Sequence, residues 1–153
     1  KQVVKSVETS KEWPENLGVG KPYDNMIDNR LEDYLEAKAA AGQGDSRKTS
    51  ALLAAVADYT ISRSHFESGN LLSALALRES GKVQEADHMV AAWSTDFPEN
   101  RVVQWCTAIY RGEKEKAVGM LQSRNDQTNT TPWEASFRDS NFDLIVRLFS
   151  TEQ

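Results

Sequence analysis

Apolar residues recur at steps of three and four positions along most of this chain, which is the pattern of amphipathic α-helices. The pattern is clearest from Asn70 to Gln122, where two helical hairpins follow one another. It predicts an all-α fold of about seven or eight helices. These helices pair into hairpins and end in terminal capping helices, at about 24–64, 70–97, 101–123 and 132–150.

The first hairpin is predicted to begin at Asp24, a residue type that caps helices, and its first helix ends where Gly42 can adopt a left-handed conformation. The second helix runs to about Ser64. One face of each helix is apolar, through Ile27, Leu31, Tyr34, Leu35 and Ala39 and then Leu52, Leu53, Val56 and Tyr59. The alanines of the second helix, which favour helix and permit close approach of a neighbour, are Ala51, Ala54, Ala55 and Ala57.

Polar residues and proline indicate further boundaries. Ser68 can cap the third helix and Asn100 the fifth, while the polar stretch 123–130 is predicted to be a loop. Residues 131–134 have the pattern of a capping box, and Ser140 offers a second helix start. We expect the last helix to cover the end of the core.

The second and third hairpins carry the same turn, written GKVQEA and GEKEKA. Gly81 and Gly112 form the turns, and Ala86 and Ala117 stand five residues after them. Glycine tolerates the backbone conformation of such a turn, and alanine lets two helices approach closely. The same supersecondary unit is therefore predicted twice in succession.

Four features recur in order in these units: a small residue, a turn glycine, a second-helix alanine and, in the first unit, a closing proline. They are Ala74, Gly81, Ala86 and Pro98, then Ala108, Gly112 and Ala117. This order resembles the tetratricopeptide repeat (TPR), a helix-turn-helix unit of about 34 residues. The resemblance implies a right-handed stack of antiparallel hairpins, a TPR-like α-solenoid.

Proteins of this family bind peptides or partner proteins in a groove lined by the first helix of each unit. The resemblance places apolar groove positions and polar edges at Leu71, Leu75, Trp105 and Ile109, and at Arg78, Gln104 and Arg111. Apolar contact should therefore dominate partner binding. Six residues separate Ala74 from Gly81 but only three separate Ala108 from Gly112, which predicts a shortened first helix and a change of curvature at Trp105.

Residues 1–23 have no helical period and are predicted to be an extended lead-in or the remnant of a linker. The remainder, 24–153, is predicted to form one helical-repeat domain. Because the chain begins with Lys1, we expect a processed protein or a domain of a longer one. Its compartment and oligomeric state are left open.

Composition and charge exclude several classes of function. The chain has 18 Lys and Arg against 23 Asp and Glu, a net charge of −5, which disfavours binding to nucleic acid phosphates. No apolar run approaches the roughly 18 residues that span a bilayer, so no integral membrane segment is predicted.

Candidate chemistry is sparse, and neither a catalytic residue nor a metal ligand or cofactor is predicted. His65 and His88 have no partner at metal-ligand spacing, and Cys106 lies in an apolar stripe where a buried, inert thiol is expected. The acidic run is predicted to be a solvated helix face rather than a cation site, and comprises Asp24, Asp28, Glu32, Asp33 and Glu36.

The sequence therefore favours a non-catalytic module that binds a protein or peptide as a scaffold or adaptor. One alternative is a helical accessory domain of a larger enzyme or cell-envelope protein, whose partners would be other domains of the same chain. A second alternative is an all-helical enzyme whose site the sequence does not reveal.

Overall fold

In the computed structural model the described residues are 27–61, 66–125, 139 and 141–150, and all regular structure among them is helical. The all-α prediction is confirmed. The seven helices of this described part are α1 (Arg30–Gly42), α2 (Ser46–Ile61), α3 (Gly69–Glu79), α4 (Val83–Asp96), α5 (Arg101–Tyr110), α6 (Lys114–Asn125) and α7 (Phe142–Ser150). The predicted lead-in 1–23 and the predicted helix start at 131–134 lie outside the described residues.

Helix α3 is the centre of the fold. It contacts α1, α2, α4 and α5, and every residue from 69 to 77 is buried. Further contacts join α1 to α2, α4 to α5 and α5 to α6. No helix in the described part of the chain is both long and apolar enough to cross a membrane.

The turns after α1, α3 and α5 share one backbone geometry. Gly44, Gly81 and Gly112 have φ of 78°, 82° and 75°, in the left-handed region where glycine is favoured. In each turn the following residue donates its N–H to a carbonyl five residues earlier, as Lys82 does to Leu77 at 2.9 Å. This pattern is the Schellman motif, which satisfies carbonyls at a helix end.

The first hairpin also uses this turn, although its sequence did not reveal it. The prediction that Gly42 adopts the left-handed conformation is wrong: Gly44 does so, and Gly42 is the last helical residue. The N–H of Asp45 completes the motif by donating to Ala40 at 3.0 Å. The glycine of the turn thus stands two residues after the helix end.

The predicted shortening before Gly112 amounts to only one residue, because α3 has 11 residues and α5 has 10. Hydrogen bonding at the turns aligns Ala108 with Leu77, since each supplies the carbonyl that closes its turn. Seven residues before each turn glycine stand Ala37, Ala74 and Trp105, all buried. The change of curvature expected at Trp105 depended on a larger difference in helix length, which the structure does not show.

The helix ends follow the predicted caps in one case and depart from them in others. Asn100 caps α5, its Oδ1 accepting from Val102 N–H at 2.9 Å. Ser68 makes no side-chain cap, and its buried Oγ has no hydrogen-bond partner among the residues that the structure describes. Helix α1 begins at Arg30 instead of Asp24, because residues 27–29 are not helical and the Asp28 carboxylate accepts the Arg30 N–H at 3.0 Å.

A buried arginine joins the first two hairpins. The Arg30 guanidinium is 2% exposed and donates to Asp28, to Glu67 at 2.7 Å and to Asn70 at 2.6 Å. It also lies over the ring of Tyr59, 4.6 Å from the centroid. Because a buried charge is tolerated only with such partners, these contacts fix how α1, α2 and α3 meet.

Candidate functional site

Three of the predicted groove residues are closed off from any partner. Leu71, Leu75 and Trp105 are 0%, 4% and 1% exposed. Helix α3 is surrounded by four other helices, so neither leucine lines an open groove. This part of the predicted groove is therefore wrong.

Trp105 is covered by α7. Its ring meets that of Phe142 edge to face, with centroids 5.4 Å apart and an interplanar angle of 85°. Such aromatic pairs stabilise a fold beyond the free energy gained by burying their apolar area. The indole N–H is buried and has no hydrogen-bond partner in the described part of the chain. Trp105 is thus a core residue at the joint with the last helix, which covers part of the core as expected.

The remaining predicted positions lie nearer the surface, and two of them serve the fold. Arg78 donates to the Tyr110 carbonyl at 2.9 Å. Its guanidinium carbon also lies over the Tyr110 ring, 4.8 Å from the ring centroid. Gln104 donates to the carbonyl of residue 98 at 2.7 Å. Ile109 is half-buried in a small recess beside α7, and Arg111 is exposed where α5 ends. These four side chains therefore do not form a continuous surface with Leu71, Leu75 and Trp105.

A chain of polar side chains runs from α3 through α5 to α4. The Tyr110 hydroxyl, at the end of α5, donates to Oδ1 of Asp87 on α4 at 2.8 Å. Burial, followed by this hydrogen bond and the Asp87 charge, raises the pKa of Tyr110 to about 12, although the Arg78 charge acts in the opposite direction. The phenol is therefore a neutral structural donor at physiological pH.

The candidate nucleophile is a buried core thiol, as expected. Cys106 is 0% exposed, and burial, with a further contribution from the Asp139 charge, raises the pKa of its thiol well above the usual value. His88 is exposed on α4, and His65 lies outside the described residues. In the described part of the chain, no three His, Cys, Asp or Glu side chains cluster to hold a metal ion.

The acidic run does not form the solvated face that was predicted. Glu36 is only 6% exposed and accepts from Lys48 Nζ at 2.7 Å, which ties α1 to α2. Asp28 precedes the helix and binds Arg30. Glu36 therefore joins two helices, and Asp28 holds the buried guanidinium of Arg30.

An open cleft in the described structure lies elsewhere, between the first two hairpins. Its volume is about 490 Å³, within the range of 300–1,000 Å³ typical of ligand sites. One face of α2, the α1–α2 turn and the α3–α4 turn line it, through Ala41, Gly44, Ser46, Thr49, Ser50, Leu53, Ala54, Ala57, Asp58, Leu77, Glu79, Ser80 and Lys82. We call it the α2 cleft.

Small side chains on α2 create the α2 cleft. Its floor is apolar and buried, formed by Leu53, Ala57 and Leu77. Ser50 and Ala54 are exposed and too short to fill the space above that floor. The alanines were expected to admit a neighbouring helix, yet only Ala57 of the four is buried. A small-residue face on a helix was the sequence signal for this cleft.

The three charged residues of the α2 cleft differ in how they are compensated. Glu79 Oε1 accepts from the Tyr34 hydroxyl at 2.7 Å and from Lys38 Nζ at 3.0 Å. Lys82 stands 3.7 Å from Glu85. Asp58 is exposed and has neither ion pair nor hydrogen bond among the described side chains.

No protein-family model, curated protein or solved structure matches the chain. The α2 cleft therefore has to be interpreted from its own geometry. It combines an apolar floor, a rim of serine and threonine hydroxyls and one carboxylate, Asp58, that no described side chain compensates. That composition suits recognition of a side chain or short segment that is partly apolar and partly charged.

Proposed function

We propose that this protein is a non-catalytic helical-hairpin module that binds a protein or peptide partner, and that the α2 cleft is its binding surface. The observation that carries the proposal is the open cleft of about 490 Å³ with a buried apolar floor. Apolar contact supplies most binding energy at such surfaces, and surrounding polar groups give orientation.

The proposed architecture is a TPR-like right-handed stack. It is supported by the three turns of similar geometry and by the contacts of α3 with α1 and with α5. In such a stack the first helices of successive hairpins touch in order. Because residues 69–77 of α3 are buried, the proposed partner-binding surface lies on α2 and not on the first helices of the hairpins.

The test fills the cleft with a large side chain. Ala54→Trp places an indole above the floor, whereas Ala55→Trp puts the same group on an exposed α2 position that does not line the cleft. Both variants and the wild type are panned against a random peptide display library. Circular dichroism and urea unfolding check that both variants are folded.

We expect the wild type and Ala55→Trp to enrich the same peptides and Ala54→Trp to lose them. Equal enrichment by the folded Ala54→Trp variant contradicts the cleft assignment. Failure of the wild type to enrich any peptide contradicts the binding function itself.

A further inference from the structure

The α2 cleft has a defined length along its helix. Its lining runs from Ser46 in the first turn of α2 to Asp58 near the end, at steps that keep one helix face toward the cleft. At 1.5 Å per residue these two positions are about 18 Å apart. A peptide in extended conformation, at about 3.3 Å per residue, covers that distance with about five or six residues.

The charged residues that line the cleft differ in whether a described side chain offsets their charge. Lys82 lines the cleft in the α3–α4 turn, and Glu85 stands near enough to offset part of its charge. Glu79 is offset by Lys38. Asp58, about 18 Å from the first turn of α2, is the charged lining residue that no described side chain compensates.

We propose that the α2 cleft binds an extended peptide segment whose Lys or Arg side chain pairs with Asp58. In this arrangement a small or apolar residue of the segment lies on the floor formed by Leu53, Ala57 and Leu77. The inference rests on the proposed function, because it names the partner chemistry of the same cleft. The net charge of −5 adds a long-range attraction for a basic partner.

Charge complementarity of this kind fixes the register of a peptide more than it adds affinity. Asp58 is exposed, so the pair remains partly solvated and its contribution is modest. We expect Asp58→Asn to weaken binding of a cognate peptide by about twofold to fivefold at low salt. Asp58→Lys should weaken it further because like charges then face each other.

The experiment begins with the peptides that the wild type enriches from the random library. One such peptide is synthesised with a fluorescent label in three forms, with its basic residue kept, replaced by Gln, and replaced by Glu. Dissociation constants are measured by fluorescence anisotropy for the wild type, Asp58→Asn and Asp58→Lys. Asp96→Asn and Asp96→Lys are the matched controls, since Asp96 is exposed at the end of α4 and does not line the cleft.

We expect the wild type to prefer the basic peptide and Asp58→Lys to prefer the Glu form, with both Asp96 variants behaving as the wild type. For the Gln peptide, Asp58→Asn should match the wild type, because the pair is already absent. The proposal is overturned if the enriched peptides contain no Lys or Arg. It is also overturned if the Asp58 and Asp96 variants lose affinity equally.

The Ala54→Trp variant distinguishes failure of the Asp58 pairing from failure of the proposed function. If filling the cleft abolishes binding while Asp58→Asn leaves every peptide unaffected, the cleft binds peptides but does not select a basic residue. If filling the cleft leaves binding intact, the cleft assignment itself is wrong.

Discussion

Gly69 is placed so that any larger residue would displace the buried guanidinium of Arg30. A Cβ at position 69 would stand 2.6 Å from Arg30 Cζ and 2.7 Å from Nη2. Nonbonded carbon atoms rest at about 3.5–4.0 Å, so Gly69→Ala forces the guanidinium to move by about 1 Å. The backbone of Gly69 is ordinary helix, and alanine carries no strain of its own there.

The energetic cost follows from the hydrogen bonds that this movement breaks. The guanidinium donates to Asp28, Glu67 and Asn70 over 2.6 to 2.9 Å, and a further stretch of about 1 Å exceeds hydrogen-bond length. Two bonds to charged groups at about 1.5 kcal/mol each amount to about 3 kcal/mol. The better helix propensity of alanine offsets at most about 1 kcal/mol. We expect Gly69→Ala to lower the free energy of unfolding by about 2 kcal/mol.

A double-mutant cycle with Arg30→Met isolates the clash. Asp28 and Glu67 are 21% and 35% exposed, so water can reach both carboxylates when the guanidinium is removed. Urea unfolding, followed by circular dichroism, gives the free energy of unfolding for the wild type, both single variants and the double variant. In the Arg30→Met background, Gly69→Ala should be neutral or slightly stabilising. An equal loss in both backgrounds, or no loss in the wild type, refutes the reasoning.

Three further predictions concern the turns and two buried side chains. Gly81→Ala should cost about 1–2 kcal/mol because its φ is 82°, whereas Gly119→Ala, in an open helical position, should gain about 0.5–1 kcal/mol in urea unfolding. The raised pKa of Tyr110 contributes stability that is complete below about pH 10 and is lost as the pH rises toward 12. Urea unfolding at alkaline pH should therefore show a smaller loss across this window for Tyr110→Phe than for the wild type. Burial raises the pKa of the Cys106 thiol, so a thiol reagent should label it no faster than the protein unfolds, and rapid labelling of the native state would contradict its placement.

The groove residues show where the sequence pattern misled. Periodicity correctly puts Leu71 and Leu75 on an apolar helix, but it does not say how many neighbours that helix has. Trp105 is predicted to be an apolar groove position, yet Phe142, far along the chain, covers it. Ala54 was seen as a site of close helix approach and instead lines an open cleft.

The sequence by itself determined the helices, the glycine turns at Gly81 and Gly112, and the Asn100 cap. These features depend on interactions among residues about five positions apart or closer, which propensity and spacing record. Only the tertiary structure decided that residues 69–77 of α3 are all buried, that Arg30 binds Glu67 and that a cleft opens beside α2. Those features depend on which distant segments meet, and hydrophobic periodicity gives the face of a helix without naming what packs against it.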